Sequence, residues 1–185
     1  MERTKHNNIV KFVEVIKSNN CAFIVMELAT GGDLRERIQT NKNGLVEAEV
    51  NRVTIMILDA IVYLHKQGIT HRDLKPENVL FYKPGNNSRV IVTDFGLAKQ
   101  FTSGSVLHTY CGTVQYLSPE ITRNNPYTNK CDVWAVGVMV YEMLCGQWPF
   151  KEQFQIATSQ HSYNRQVCRC MNFSTCFEFG LNFVP

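Results

Sequence analysis

Apolar residues at Val46, Val50, Val53, Ile57, Ile61 and Leu64 recur at threes and fours. That spacing predicts an amphipathic helix from Glu47 to Lys66, ended by Gly68. His65, in its last turn, reads as a surface residue that complements the helix dipole. From Asp132 to Cys145 the chain is apolar nearly all round, with charges at Asp132 and Glu142. This predicts a helix buried in the centre of a lobe, too short and too interrupted to span a membrane. Gly146-Gln147-Trp148-Pro149-Phe150 ends it. β-Branched and aromatic runs predict one strand over Asn8 to Ile16 and a second over Cys21 to Leu28, across a turn at Lys17-Ser18-Asn19-Asn20. Two shorter runs, Val79-Leu80-Phe81 and Val90-Ile91-Val92-Thr93, flank Pro84-Gly85-Asn86-Asn87 and predict a hairpin-like pair. Beyond residue 150 the apolar positions follow neither period, which predicts a poorly ordered tail.

The polar residues are concentrated where those short strands begin and end. His71-Arg72-Asp73-Leu74-Lys75-Pro76-Glu77-Asn78 places a carboxylate, an ammonium and a carboxamide directly before a buried run, and Pro76 stiffens the segment. Asp94-Phe95-Gly96 follows the second run, so the two loops are expected to converge at one end of a small sheet. Asn78 and Asp94 offer hard oxygen ligands suited to Mg²⁺. Asp73 is placed to accept a proton, and Lys75 is a cation able to meet a phosphoryl oxygen. Together these are the parts that phosphoryl transfer needs, because positioning and charge stabilisation carry most of that reaction.

Composition narrows the alternatives. At 185 residues the chain is long enough for one domain with a sizeable core. Its net charge of +3 is too small to argue for nucleic acid or a membrane surface as partner. The seven cysteines are scattered without paired spacing and read as reduced thiols, placing the protein in the cytoplasm with the nucleus left open. Cys168, Cys170 and Cys176 lack a fourth ligand at suitable spacing for a metal.

The octapeptide from His71 to Asn78, followed at the right distance by Asp94-Phe95-Gly96, resembles the eukaryotic protein kinases. Met26-Glu27-Leu28-Ala29-Thr30-Gly31-Gly32, Gly68-Ile69-Thr70-His71 and Pro126-Tyr127-Thr128-Asn129 are most similar to the calmodulin-dependent group and its protein serine kinase H branch. The fold implied is α+β and protein kinase-like, mainly the helical large lobe with only the last small-lobe strands. Residues 1–150 would be a partial catalytic domain, with a small-lobe remnant at 1–28 and a large-lobe portion at 29–150. Residues 151–185 would be a tail outside the family. Both ends would be truncated, since no G-x-G-x-x-G occurs in the chain and the later large-lobe helices find no counterpart.

The resemblance also implies a cofactor, ATP with Mg²⁺, and a set of roles. Asp73 would be the catalytic base, with Lys75 and Thr113 beside it. Met26 would stand next to the adenine, with backbone groups of Glu27 and Ala29 bonding its edge, Leu80 beneath it and Asp33 near the ribose or a basic substrate residue. Asp33 also suits a helix cap before Leu34. Asn78 and Asp94 would hold the metal. Thr109 matches a position phosphorylated to order the activation segment, where its phosphate would pair with Arg72. Asp132 would bond the backbone of the catalytic loop, and His71 would be a packed residue beside Phe95 and Phe12. Lys75 with Thr113 points to serine/threonine phosphorylation, on protein substrates with basic residues upstream that Asp33 and Glu77 would meet. The alternative is a catalytically impaired isoform that acts by binding kinase substrates or regulators.

Overall fold

The computed structural model describes residues 4–19, 21–102 and 105–150. Expectations for residues 151–185 therefore lie outside the described residues. The centre of the fold is the packing of two helices, α2 (Glu47–Lys66) against α4 (Lys130–Cys145). The 3.6-residue repeat of α2 buries Val50, Val53, Ile57, Ala60, Ile61 and Leu64 on one face. Helix α4 has no such single face. Val136, Val138, Met139 and Met143 are all fully buried, as its nearly continuous apolar sequence requires. Gly146, at φ 68°, takes the left-handed conformation that closes α4, and its N–H bonds the Glu142 carbonyl at 2.8 Å.

Strands β1 (Phe12–Ser18) and β2 (Cys21–Met26) form an antiparallel pair with a bulge between Phe12 and Glu14. The expected single strand from Asn8 is thus divided. Residues 8–10 pair instead with the strand at Val90–Val92, through Val10 N–H to Val92 O and Val92 N–H to Asn8 O, both 2.9 Å. The Asn8 amide adds a 2.7 Å bond to the Val90 carbonyl. These bonds hold Ile9 and Val10 in the core, while β1 and β2 leave Val13, Phe23 and Ile24 exposed.

Helix α1 (Leu34–Thr40) follows the connection from β2. After α2 come β3 (Ile69–Thr70) and the loop that begins at His71, then a short 3-10 turn at Pro76–Asn78 and β4 (Val79–Phe81). β4 pairs antiparallel with β5 (Val90–Val92) in the register Val79↔Val92, Leu80↔Ile91, Phe81↔Val90. This is the hairpin-like connection that the turn residues predict. β3 pairs with β6 (Lys99–Gln100). A second 3-10 turn at Val114–Tyr116 and helix α3 (Pro119–Thr122) lead into α4. No helix among the described residues is long and apolar enough to cross a membrane.

Candidate active site

β3 and the β4–β5 pair hold the two polar loops from opposite sides. Thr93 N–H bonds the Asn78 carbonyl at 2.9 Å, so the residue before Asp94 is tied directly to the end of the Asp73 loop. Asp132, on the first turn of α4 and almost completely buried, receives the N–H groups of His71 and Arg72 on its two oxygens, each at 2.9 Å. Its Oδ2 also meets His65 Nε2 at 2.8 Å. His65 is therefore not the dipole-complementing surface residue that its helical position suggests. It is mostly buried, and it joins α2 to α4 beneath the loop.

His71 is fully buried, with its ring 5.0 Å from that of Phe95. Its Nε2 lies 2.9 Å from the Thr93 carbonyl and its Nδ1 accepts from Asp73 N–H at 3.3 Å. A carbonyl can only accept and an N–H can only donate, so the ring is the neutral Nε2–H tautomer with both nitrogens engaged. It is a packed residue, as expected.

The Asp73 carboxylate is the focus. Oδ1 accepts from the Thr113 hydroxyl at 2.7 Å and from Thr113 N–H at 2.9 Å. Oδ2 accepts from Lys75 Nζ at 2.9 Å, and the same ammonium donates to Thr113 Oγ1 at 3.0 Å. Burial alone would raise the Asp73 pKa, but the bonds from Lys75 and Thr113 reverse that and hold it below the usual carboxylate value. Asp73 is thus a carboxylate at neutral pH, with a hydroxyl already at hydrogen-bond distance. Gly112, at φ 110°, allows Thr113 to arrive there: a Cβ at Gly112 would stand 2.6 Å from the Arg72 carbonyl.

Asn78 donates from Nδ2 to the Asp73 carbonyl at 2.8 Å, which fixes its amide and leaves Oδ1 as its available oxygen. Asp94 is exposed, at φ 61°, with its Oδ1 accepting from Gly96 N–H at 3.2 Å. One amide oxygen and one carboxylate make a sparse protein ligand set. Among the described residues no group of three His, Cys, Asp or Glu side chains is gathered for a metal. Such a set suits Mg²⁺, which keeps waters and takes its remaining ligands from phosphates.

On the other side of β4, Leu80 is half-buried and Asp33 bridges to it. Met26, the last residue of β2, is exposed. Glu27 is held by three contacts: its N–H bonds Lys11 O at 2.9 Å, its Oε1 accepts from Lys11 N–H at 2.9 Å, and its Oε2 meets Arg89 at 3.1 Å. Among the described residues no hydrogen bond uses the Glu27 carbonyl or the Ala29 backbone, so both are available to an adenine edge. Asp33 caps α1, accepting from Glu36 N–H at 2.8 Å with Oδ1. Asp33→Ala is expected to lower stability by about 1 kcal/mol and Asp33→Asn by much less. Urea denaturation of the two variants checks this, and equal losses would remove the cap from the account.

Thr109 is exposed, and its carbonyl accepts from the Tyr127 hydroxyl at 2.7 Å. Arg72, at φ 70°, donates from Nε to Leu97 O at 2.7 Å and from Nη1 to the same Tyr127 hydroxyl at 3.4 Å. Tyr127 therefore bridges Arg72 and the Thr109 backbone. In the sequence Tyr127 stands out only as part of Pro126-Tyr127-Thr128-Asn129, which carries the resemblance but points to no contact for it. Arg35, Tyr116, Glu142 and Trp148 form a further cluster that the sequence reading missed. A charged residue within the apolar run of α4 was the available signal.

A family model described as Protein kinase domain matches residues 1–180, a range that continues past residue 150. Serine/threonine-protein kinase H1 of Homo sapiens is 45% identical over 172 residues, covering 89% of this chain and 40% of that protein. The serine/threonine-protein kinase H1 homolog of Danio rerio is 47% identical over 154 residues, covering 82% and 36%. Calcium/calmodulin-dependent protein kinase type 1 of Macrobrachium nipponense is 40% identical over 153 residues, covering 83% and 44%. The chain thus spans well under half the length of these relatives.

Proposed function

The chain belongs to the protein kinase domain family, and from that premise we propose that its role is ATP-dependent phosphorylation of serine and threonine residues in proteins. The observation that carries this is the Asp73 carboxylate 2.7 Å from a threonine hydroxyl, with Lys75 bonded to both groups. The internal hydroxyl of Thr113 stands in the kind of relation to Asp73 that an acceptor hydroxyl of a substrate needs.

Asp73 orients the substrate hydroxyl and receives its proton, and its charge at neutral pH makes that possible. Lys75 offers a cation beside the same oxygen, where negative charge grows on the transferred group. Thr113 bonds both and keeps the carboxylate in register. Asn78 and Asp94 would hold Mg²⁺, whose chemistry is to neutralise phosphate charge. The Glu27 carbonyl and the Ala29 backbone would bond the adenine of ATP, over Leu80 and beside Met26, with Asp33 near the ribose. Thr109 would act as the regulatory position, its phosphate drawing Arg72 away from Tyr127. A preference for basic residues upstream of the acceptor would rest on Asp33, whose cap uses only Oδ1, and on Glu77 to the extent that Arg35 leaves it free.

The test is transfer of radiolabelled phosphate from ATP to a basic acceptor peptide by the purified chain. Wild type should label the peptide, and Asp94→Ala should not. Equal labelling by both proteins would remove the metal role of Asp94. No labelling by wild type, with the peptide still bound, would favour the alternative of a protein that binds kinase substrates or regulators.

A further inference from the structure

Residues 105–110 run past the candidate active site and are exposed except for Leu107, so burial does little to hold them there. Hydrogen bonds take that part, and they share one partner. Among the described residues, every hydrogen bond of residues 107–112 goes to Tyr127. Leu107 N–H donates to Tyr127 O at 2.8 Å and Tyr127 N–H returns to Leu107 O at 3.0 Å. The Tyr127 hydroxyl donates to the Thr109 carbonyl at 2.7 Å and lies 3.8 Å from Cys111 Sγ.

The same hydroxyl accepts from Arg72 Nη1, at a longer 3.4 Å. Arg72 directly precedes Asp73, and Thr113, which bonds Asp73 through its hydroxyl and its N–H, stands four residues after Thr109. One hydroxyl thus touches the chain on both sides of the Asp73–Thr113 pair. Burial raises the Tyr127 pKa, so the phenol keeps its proton at neutral pH. A carbonyl can only accept, so that proton goes to Thr109 and the lone pairs face Arg72. The ring has separate work. It packs with Leu107, Leu117, Ile121 and Cys131, so loss of the hydroxyl alone leaves the packing in place. The bond also falls on the Thr109 backbone and is indifferent to the side chain there.

We propose that Tyr127 is a positioning residue whose hydroxyl, by joining Arg72 to the Thr109 carbonyl, sets Thr113 against Asp73 in a chain that carries no phosphate at Thr109. The activation segment is then ordered from within. A phosphate on Thr109 takes Arg72 over from the phenol, because an ionised acceptor holds a guanidinium more strongly than a neutral one at 3.4 Å. Phosphate replaces the phenol's hold and adds little to it. The ordering stands on geometry alone, whereas its effect on phosphate transfer rests on the proposed function.

The experiment has two arms on the full chain, and the first needs no turnover. Hydrogen exchange followed by NMR reads the Thr113 amide, whose N–H donates to Asp73 Oδ1 at 2.9 Å. Tyr127→Phe should speed its exchange by about tenfold and leave the buried face of α2 unchanged. Thr109→Ala should keep the wild-type rate. Phosphothreonine placed at position 109 of the Tyr127→Phe protein should bring the rate back to within about twofold of wild type. An unchanged Thr113 amide in Tyr127→Phe overturns the proposal. So does a faster rate that phosphothreonine leaves as it is, since the hydroxyl would then be structural only.

The second arm measures phosphate transfer to the basic acceptor peptide. Tyr127→Phe should lower kcat by about tenfold with the KM for ATP within about twofold of wild type, and phosphothreonine at 109 should restore kcat. An unchanged kcat in a protein whose Thr113 amide has loosened overturns the link to Asp73. No transfer by wild type counts against the proposed function, and the exchange rates alone then decide whether Tyr127 orders the segment.

Discussion

Asp132→Ala is expected to lower stability by about 3 kcal/mol, among the larger losses a single substitution gives. Asp132 is 1% exposed and joins the catalytic loop and α2 to α4. Its two oxygens accept from the N–H groups of His71 and Arg72, and His65 pairs with Oδ2. Truncation leaves two loop N–H groups without acceptors, and an unsatisfied buried donor costs about 1–3 kcal/mol. It also strands His65 between two helices. Asp132→Asn keeps one acceptor oxygen but turns an NH₂ group toward donors, so an intermediate loss is expected. Urea denaturation should give a lower midpoint with an unchanged slope, since the core of α2 and α4 still folds. Hydrogen exchange should speed up at residues 71 and 72 before it does at the buried face of α2. A loss below about 1 kcal/mol would mean that the loop is held from elsewhere.

The sequence disclosed what depends on neighbours along the chain. Helix α2 has its predicted bounds because a 3.6-residue repeat leaves no other way to bury Val50, Val53, Ile57, Ile61 and Leu64 together. Helix α4 was legible from near-continuous apolarity. The octapeptide at residues 71–78 and Asp94-Phe95-Gly96 were legible as chemistry, and the β4–β5 pairing brings their ends together. Long-range partners were not legible. His65 looked like a surface residue because periodicity sees a helix face and not Asp132, 67 positions later. The strand expected from Asn8 is divided because residues 8–10 pair with β5, 82 positions away at the Asn8–Val90 bond. Propensity is the same for either partner, so tertiary contacts decide. Arg35 was invisible for a related reason. An arginine on an exposed-looking helix turn gives no sign of two glutamates brought to it from elsewhere in the chain.

Asp73→Asn is expected to reduce phosphate transfer by about 10²–10⁴-fold while the protein remains folded. The loss should fall on kcat, because the residues proposed to bind adenine and metal are untouched. An amide at this position still offers one oxygen to Thr113, whose hydroxyl and N–H both bond Oδ1 in the native protein. It has no charge to attract a proton, and its NH₂ would face the ammonium of Lys75 where Oδ2 now accepts at 2.9 Å. The stability cost is that of one charge-assisted bond, about 1–2 kcal/mol at neutral pH, and smaller than that of Asp132→Ala. Its pH dependence carries a definite sign. The folded Asp73 carboxyl has a pKa below its ordinary value of 3.8, so its bonds stabilise the native state above that value. The stabilisation is lost as acid protonates the carboxyl, with the fall beginning near the ordinary value and continuing through the lower folded one. The asparagine variant has no such group to titrate. The stability gap between wild type and Asp73→Asn should therefore be full at pH 7 and shrink as the pH falls below about 4. A gap that widens in acid would mean that Asp73 is not held as a paired carboxylate. Undiminished transfer by a folded Asp73→Asn protein would remove it as the base, whatever the gap does.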